Sequence, residues 1–185
     1  NMMSLNVSPF DASVGTVFAN LELLLVKNDD SDYYVPNYDV DQVGSLESTE
    51  GYKIFLNGAS SQTLSVEGLP VDAGSSLSLD PYRMNLLPYL PSDCISTDTV
   101  FSGYEGSLLI VKNDDSDYYV PAYDVMTLSE MCPGEAYGVF LNGADGVDFT
   151  YPTGTALGSS HNMASMDDYK LRSRTNDIAV TGESH

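Results

Sequence analysis

Cations are scarce in this 185-residue chain: seven lysines and arginines stand against 27 acidic side chains, a formal net charge of −20 at pH 7. Three of those cations, Lys170, Arg172 and Arg174, fall in the last sixteen residues, so the rest of the chain is more acidic still. Phosphate neutralisation dominates nucleic-acid affinity, which excludes DNA and RNA as partners. An anionic membrane surface would repel the chain as well. Such a charge favours solubility, divalent cations or a saline medium. Histidine is nearly missing, with only His161 and His185, both near the C-terminal end. Neither a CxxC pair nor clustered histidine occurs, so a zinc site is not expected. Gly-x-Ser-x-Gly, HExxH, P-loop and Rossmann fingerprints are all absent. Nothing signals a convergent set of reacting groups, and the expectation is a protein that is not an enzyme. A pair of carboxylates meeting in space as acid and base stays open. No apolar run approaches the ~18 residues of a membrane helix.

There are only two cysteines, Cys94 and Cys132. A bridge between them would close a loop of about 38 residues and contribute roughly 4 kcal/mol through lost unfolded-state entropy. Two independent buried thiols are the other reading.

What the sequence does contain is a passage written twice. Leu23 to Val40 reads LLLVKNDDSDYYVPNYDV and Leu108 to Val125 reads LLIVKNDDSDYYVPAYDV, identical at 16 of 18 positions. The offset of 85 persists further, from Tyr52, Phe55, Leu56, Asn57, Gly58 and Ala59 to Tyr137, Phe140, Leu141, Asn142, Gly143 and Ala144. A period that long reads as a duplicated folding unit. The abundance of Tyr, Ser, Gly and Val points to β-structure. We therefore expect a mostly β protein of two tandem repeats of about 80 residues, each with a hairpin and a short helical turn. The units span 1–80 and 81–157, and 158–185 is a linker and tail or the first strand of a following module. Asn1, where a Met would start a complete chain, reads as a processed product or an excerpt of a longer polypeptide.

Within each unit, Leu23–Val26 and Leu108–Val111 are unbroken apolar runs, as expected of strands covered on both faces. Asn28 to Asp32 has turn composition. Tyr33 to Val40 resumes as a strand, which Pro36 and Pro121 confine to an edge or a bulge. Tyr52–Leu56 and Tyr137–Leu141 end at Asn-Gly, a tight-turn dipeptide, with Leu64–Val66 and Phe149–Tyr151 returning from it. Asp11 and Thr97 or Asp98 would cap short helical turns.

Two sets of residues are candidates for chemistry. Asn28, Asp30 and Asp32, with twins Asn113, Asp115 and Asp117, place side-chain oxygens at the first three ligand spacings of a calcium loop; Asp39 and Asp124 fall at the twelfth. Tyr33 and Tyr118 stand where such a loop needs glycine, so a solvated hairpin turn is the competing reading. Calcium is the one candidate cofactor. The second set is Tyr33, Tyr34 and Tyr38 with Tyr118, Tyr119 and Tyr123. Exposed, they would stack on a glycan or anchor a partner; buried, they are cross-strand packing.

These elements, in this order, resemble a β-repeat found in the C-terminal regions of secreted multi-domain, adhesin-like proteins of Bacteroidota. The likeness covers about 1–157. It rests on Asn1-Met2-Met3-Ser4-Leu5 and Asn85-Leu86-Leu87-Pro88-Tyr89, on Val26-Lys27-Asn28 and Val111-Lys112-Asn113, on Tyr34-Val35-Pro36 and Tyr119-Val120-Pro121, and on Gly51–Leu56 and Ala136–Leu141. The chain departs from that pattern at Tyr82-Arg83-Met84-Asn85, where the family has Gly-Trp-Asn, and it contains no tryptophan. The resemblance implies export by the type IX route to the cell surface or medium, and assigns no catalytic residue. The expectation is a structural or adhesion module, self-assembling through identical subunits or neighbouring modules. The alternatives are a carbohydrate-binding module using the duplicated tyrosines and a calcium-stabilised spacer.

Overall fold

A computed structural model describes residues 1–58, 60–152 and, for the backbone alone, 174–180. Most of the 158–185 extension, including His161 and His185, lies outside the described residues.

The protein is mostly β. In chain order it begins with β1 (Met2–Ser4), β2 (Val7–Pro9), a one-turn helix α1 (Val14–Val17), β3 (Leu23–Lys27), β4 (Tyr33–Val35), β5 (Val40–Asp41), β6 (Gly51–Leu56) and β7 (Gln62–Pro70). It continues with β8 (Leu77–Leu79), β9 (Met84–Pro88), β10 (Ile95–Ser96), α2 (Thr97–Val100), β11 (Leu108–Lys112), β12 (Tyr118–Val120), β13 (Val125–Met126), β14 (Glu130–Met131), β15 (Ala136–Leu141) and β16 (Val147–Phe149). The last described element is β17 (Arg174–Val180).

Two five-stranded antiparallel sheets organise the chain, in the orders β1-β6-β3-β4-β5 and β9-β15-β11-β12-β13. Residues 85 apart sit at matching places: Val26 pairs with Tyr34 as Val111 does with Tyr119, and Lys27 with Tyr33 as Lys112 does with Tyr118. Each sheet covers its own core. Leu5, Val14, Phe18, Val26, Tyr52 and Ile54 centre the first. Leu87, Tyr89, Phe101, Val111, Tyr137 and Phe149 centre the second. A second layer closes each lobe, formed by β17-β7-β2 on the first and by the pairs β16-β8 and β10-β14 on the second. Leu77 and Leu79 precede residue 81, yet they pack into the second core.

Several local expectations are corrected. The runs Leu23–Val26 and Leu108–Val111 are not covered on both faces, for each strand slips register after its first residue, between Leu23 and Leu25 and between Leu108 and Ile110. The irregularity turns Leu24 and Leu109 outward, and both are exposed. Tyr33 to Val40 is not one strand either. Pro36 starts a 3-10 turn over Pro36–Tyr38, because its ring presets φ while its missing N–H ends the ladder. Asp39 then takes a left-handed conformation (φ 54°), and β5 folds back onto β4. Asp124 (φ 52°) and β13 do the same in the second sheet. Finally, Asn57-Gly58 does not close a hairpin. Both edges of β6 are already taken by β1 and β3, so the following strand, β7, must cross to the other layer.

Candidate functional site

The twin acidic turns join β3 to β4 and β11 to β12, and in both the asparagine builds the turn. Asn28 Oδ1 accepts the Asp32 N–H at 2.9 Å, and Asn113 Oδ1 accepts the Asp117 N–H at 2.8 Å. Each Asn N–H also donates to the carbonyl of the same Asp, at 3.3 and 3.0 Å. Ser31 and Ser116 supply the left-handed residue that lets the loop turn, with φ of 73° and 72°. The asparagine oxygens that a calcium ion would need are thus engaged in closing the loop. Asp30 is turned to Arg83, its Oδ1 2.9 Å from Nη1. Among the described residues one group of His, Cys, Asp or Glu ligand atoms converges, that of Cys94, Glu130 and Cys132, and its two sulfurs are bonded to each other.

What the turns touch is the opposite lobe. Asp29, which the calcium spacing skips, accepts the Leu86 N–H of β9 on its Oδ2 at 2.9 Å. Arg83 donates to the Asp29 carbonyl and also lies 3.5 Å from Asp80. The equivalent Asp114 reaches back to the first lobe, where its Oδ2 lies 3.0 Å from the Asn1 amino group beside β1. The contact is reciprocal, each turn meeting the opening strand of the other lobe, as in a self-complementary two-fold interface. Between the turns Met2, Leu86 and Ala136 form a small buried cluster. Gly51 lies so close that a Cβ there would stand 2.6 Å from the Leu86 carbonyl oxygen and 3.0 Å from Ala136 Cβ. Ser4 completes the seam: its Oγ accepts the Tyr89 N–H at 2.8 Å and donates to the Glu135 carbonyl at 2.5 Å.

The six tyrosines divide by role. Tyr34 packs against the first core, and Tyr119 is buried in the second, its ring stacked 6.4 Å from Phe101. Tyr33 is half-buried under the Lys27 ammonium, which lies 5.9 Å from its ring centroid. Tyr38 and Tyr123, at the ends of the two proline turns, are 78% and 79% exposed and are displayed rather than packed. Tyr118 lines a cleft of ≈ 300 Å³ with Met2, Lys53, Lys112, Asn113 and Asp114. In that cleft burial pulls the Lys53 ammonium below its ordinary pKa, and the like charges of Lys27 and Lys112 add to the effect.

Below each turn a tyrosine hydroxyl anchors the chain. Tyr52 accepts the Glu47 N–H at 2.8 Å and donates to Glu50; Tyr137 accepts the Cys132 N–H at 2.7 Å and donates to Glu135. Burial raises the pKa of both phenols. It also raises Glu50, against the hydrogen bonds from Tyr52 and Asn28. A carboxyl whose pKa is higher folded than unfolded favours the fold below its unfolded pKa, and that contribution is lost as pH rises through the folded value. Glu50→Gln is therefore expected to melt above the parent at pH 7, and the gap should narrow as pH falls towards about 4.3, the unfolded glutamate value. Thermal melts of the two proteins across that range check it.

No protein-family model matches the chain, and no curated protein or solved structure matches it. The reading of the site therefore rests on its geometry. Sequence reasoning missed Asp29, Asp114 and Arg83, the groups that reach the opposite lobe. The available signal was Arg83 itself, the one arginine before residue 172, set in a body crowded with carboxylates.

Proposed function

We propose that the chain is a non-enzymatic structural module of an extracellular or cell-surface protein, made of two equivalent β units that serve as spacer or adhesion stalk. One observation carries this reading. In both acidic turns the asparagine, Asn28 or Asn113, closes the hairpin and the first aspartate, Asp29 or Asp114, latches lobe to lobe. The Cys94–Cys132 bridge supports an oxidising location, since such bonds persist outside the reducing cytosol. The family likeness adds export by the type IX route and a place in a longer adhesin-like chain. The outer strands β5 and β13 are two residues long, and such short edges limit uncontrolled pairing with neighbours. Tyr38 and Tyr123 stand at those edges as contacts for an adjoining module.

A carbohydrate-binding module is the second reading, favoured by the cleft that joins Tyr118 to Lys53 and Lys112. Its ligand would be an acidic saccharide, stacked on the phenol ring and paired with the ammonium groups. A glycan array carrying uronic and sialic acids separates the two. The structural reading expects no retained saccharide; specific binding that disappears in Tyr118→Ala would overturn it. On the same reading, millimolar calcium added after chelation leaves the melting temperature unchanged, because Asn28 and Asn113 are already satisfied and Asp30 is paired with Arg83. A rise of several degrees would instead make calcium part of the module.

A further inference from the structure

The first lobe is completed by a strand that is not part of its own sequence. β17 pairs antiparallel with β7, placing Ile178 opposite Leu64, Ala179 opposite Thr63 and Val180 opposite Gln62. In the second lobe β8 pairs antiparallel with β16, placing Leu77 opposite Phe149, Ser78 opposite Asp148 and Leu79 opposite Val147. The 85-residue offset carries Gln62, Thr63 and Leu64 onto Val147, Asp148 and Phe149. Ile178-Ala179-Val180 therefore occupies the register positions in one lobe that Leu77-Ser78-Leu79 occupies in the other. The residue pattern agrees, apolar, small, apolar in both. In β8 the two apolar residues are buried, Leu77 at 5% and Leu79 at 3% exposure.

The order of these strands along the chain gives the arrangement a direction. β8 follows the first lobe and completes the second. β17 follows the second lobe and completes a first lobe. Repeating the β8 relation from copy to copy would place β17 of one chain on β7 of the next. The 21 residues numbered 153–173 have a contour of up to about 70 Å, long enough to reach a neighbour.

We propose that the β7 edge of the first lobe is a strand-acceptor site whose partner is β17 of a second copy, so that copies join head to tail by strand exchange. The contacts are those of the closed single chain made between chains, which is why such exchange costs little. Main-chain hydrogen bonds supply the affinity and the alternating side chains the specificity, as in other cases of strand addition. A head-to-tail contact of this kind propagates into rings or open filaments. The proposal deepens the structural reading above by naming the partner, and it rests on that reading.

The test uses full-length chains that keep Cys94 and Cys132. One carries Thr63→Cys and the other Ala179→Cys, register partners across β7 and β17. The two are mixed at high concentration, incubated and oxidised. A disulfide between the two chains is expected. It should be absent when Ala179→Cys is replaced by the off-register Thr175→Cys, and lost when Ile178→Asp and Val180→Asp are added to the donor, with circular dichroism showing that chain still folded. A single chain carrying both Thr63→Cys and Ala179→Cys should give a ladder of multimers. If that chain cross-links only within itself at every concentration, or neither arrangement cross-links, the proposal is overturned. Neither failure touches the spacer reading, which the glycan array tests separately.

Discussion

Replacing both Cys94 and Cys132 by alanine is expected to lower the unfolding free energy by about 4 kcal/mol, the entropy that a loop of 38 residues returns to the unfolded chain. The bridge ties the segment ahead of α2 to the residue that follows β14. The first lobe has no cysteine at the corresponding positions, Glu47 standing where Cys132 stands in the second. The loss should therefore fall on one lobe. Urea melts of parent and variant measure it, and a reductant should move the parent most of the way to the variant. A loss under 1 kcal/mol would mean that the second lobe holds this loop closed without the bridge.

Phe149→Ala should cost about as much, 3–5 kcal/mol, the usual range for emptying a buried aromatic site. Phe149 is fully buried, with ring centroids of Phe101, Tyr104 and Tyr151 at 5.4, 5.0 and 4.9 Å. Its counterpart Leu64 sits among aliphatic side chains and fewer rings. Leu64→Ala should cost less, within the 2–5 kcal/mol of aliphatic deletions and towards the lower end. The two substitutions measured in parallel compare equivalent positions that differ in chemistry. Equal losses would argue that the aromatic cluster adds nothing beyond buried area.

Much of this fold could be read in the residues, and the exceptions have physical causes. The Asn28–Asp32 and Asn113–Asp117 turns were visible because Asn and Asp carry their own loop-closing hydrogen bonds. The β class followed from Tyr, Ser, Gly and Val, and the short helical turns fall where expected, though Ser13 caps the first in place of Asp11 and Ser96 the second in place of Thr97 or Asp98. Tertiary context decided the rest. Asn57-Gly58 has the chemistry of a tight turn, but a strand with both edges occupied cannot take a third partner. Leu24 looked buried because apolar runs say nothing of register, and one slipped residue sends a side chain outward. The Asp30–Arg83 ion pair was not legible, because its two partners lie more than fifty residues apart in sequence. The pairing of β17 with β7 depends on an equivalence between strands that only the register reveals.

Pulling the full chain end to end in a single-molecule force experiment shows whether the two cores open as separate lobes, as a spacer built of two units requires. Once β17 is drawn off β7, two unfolding events are predicted, one for each lobe. Reduction of Cys94–Cys132 should lengthen one of them by about 130 Å, the contour of the 38 residues that the bridge hides. A single cooperative event, or featureless extension at low force, would mean that the two cores do not stand as separate units.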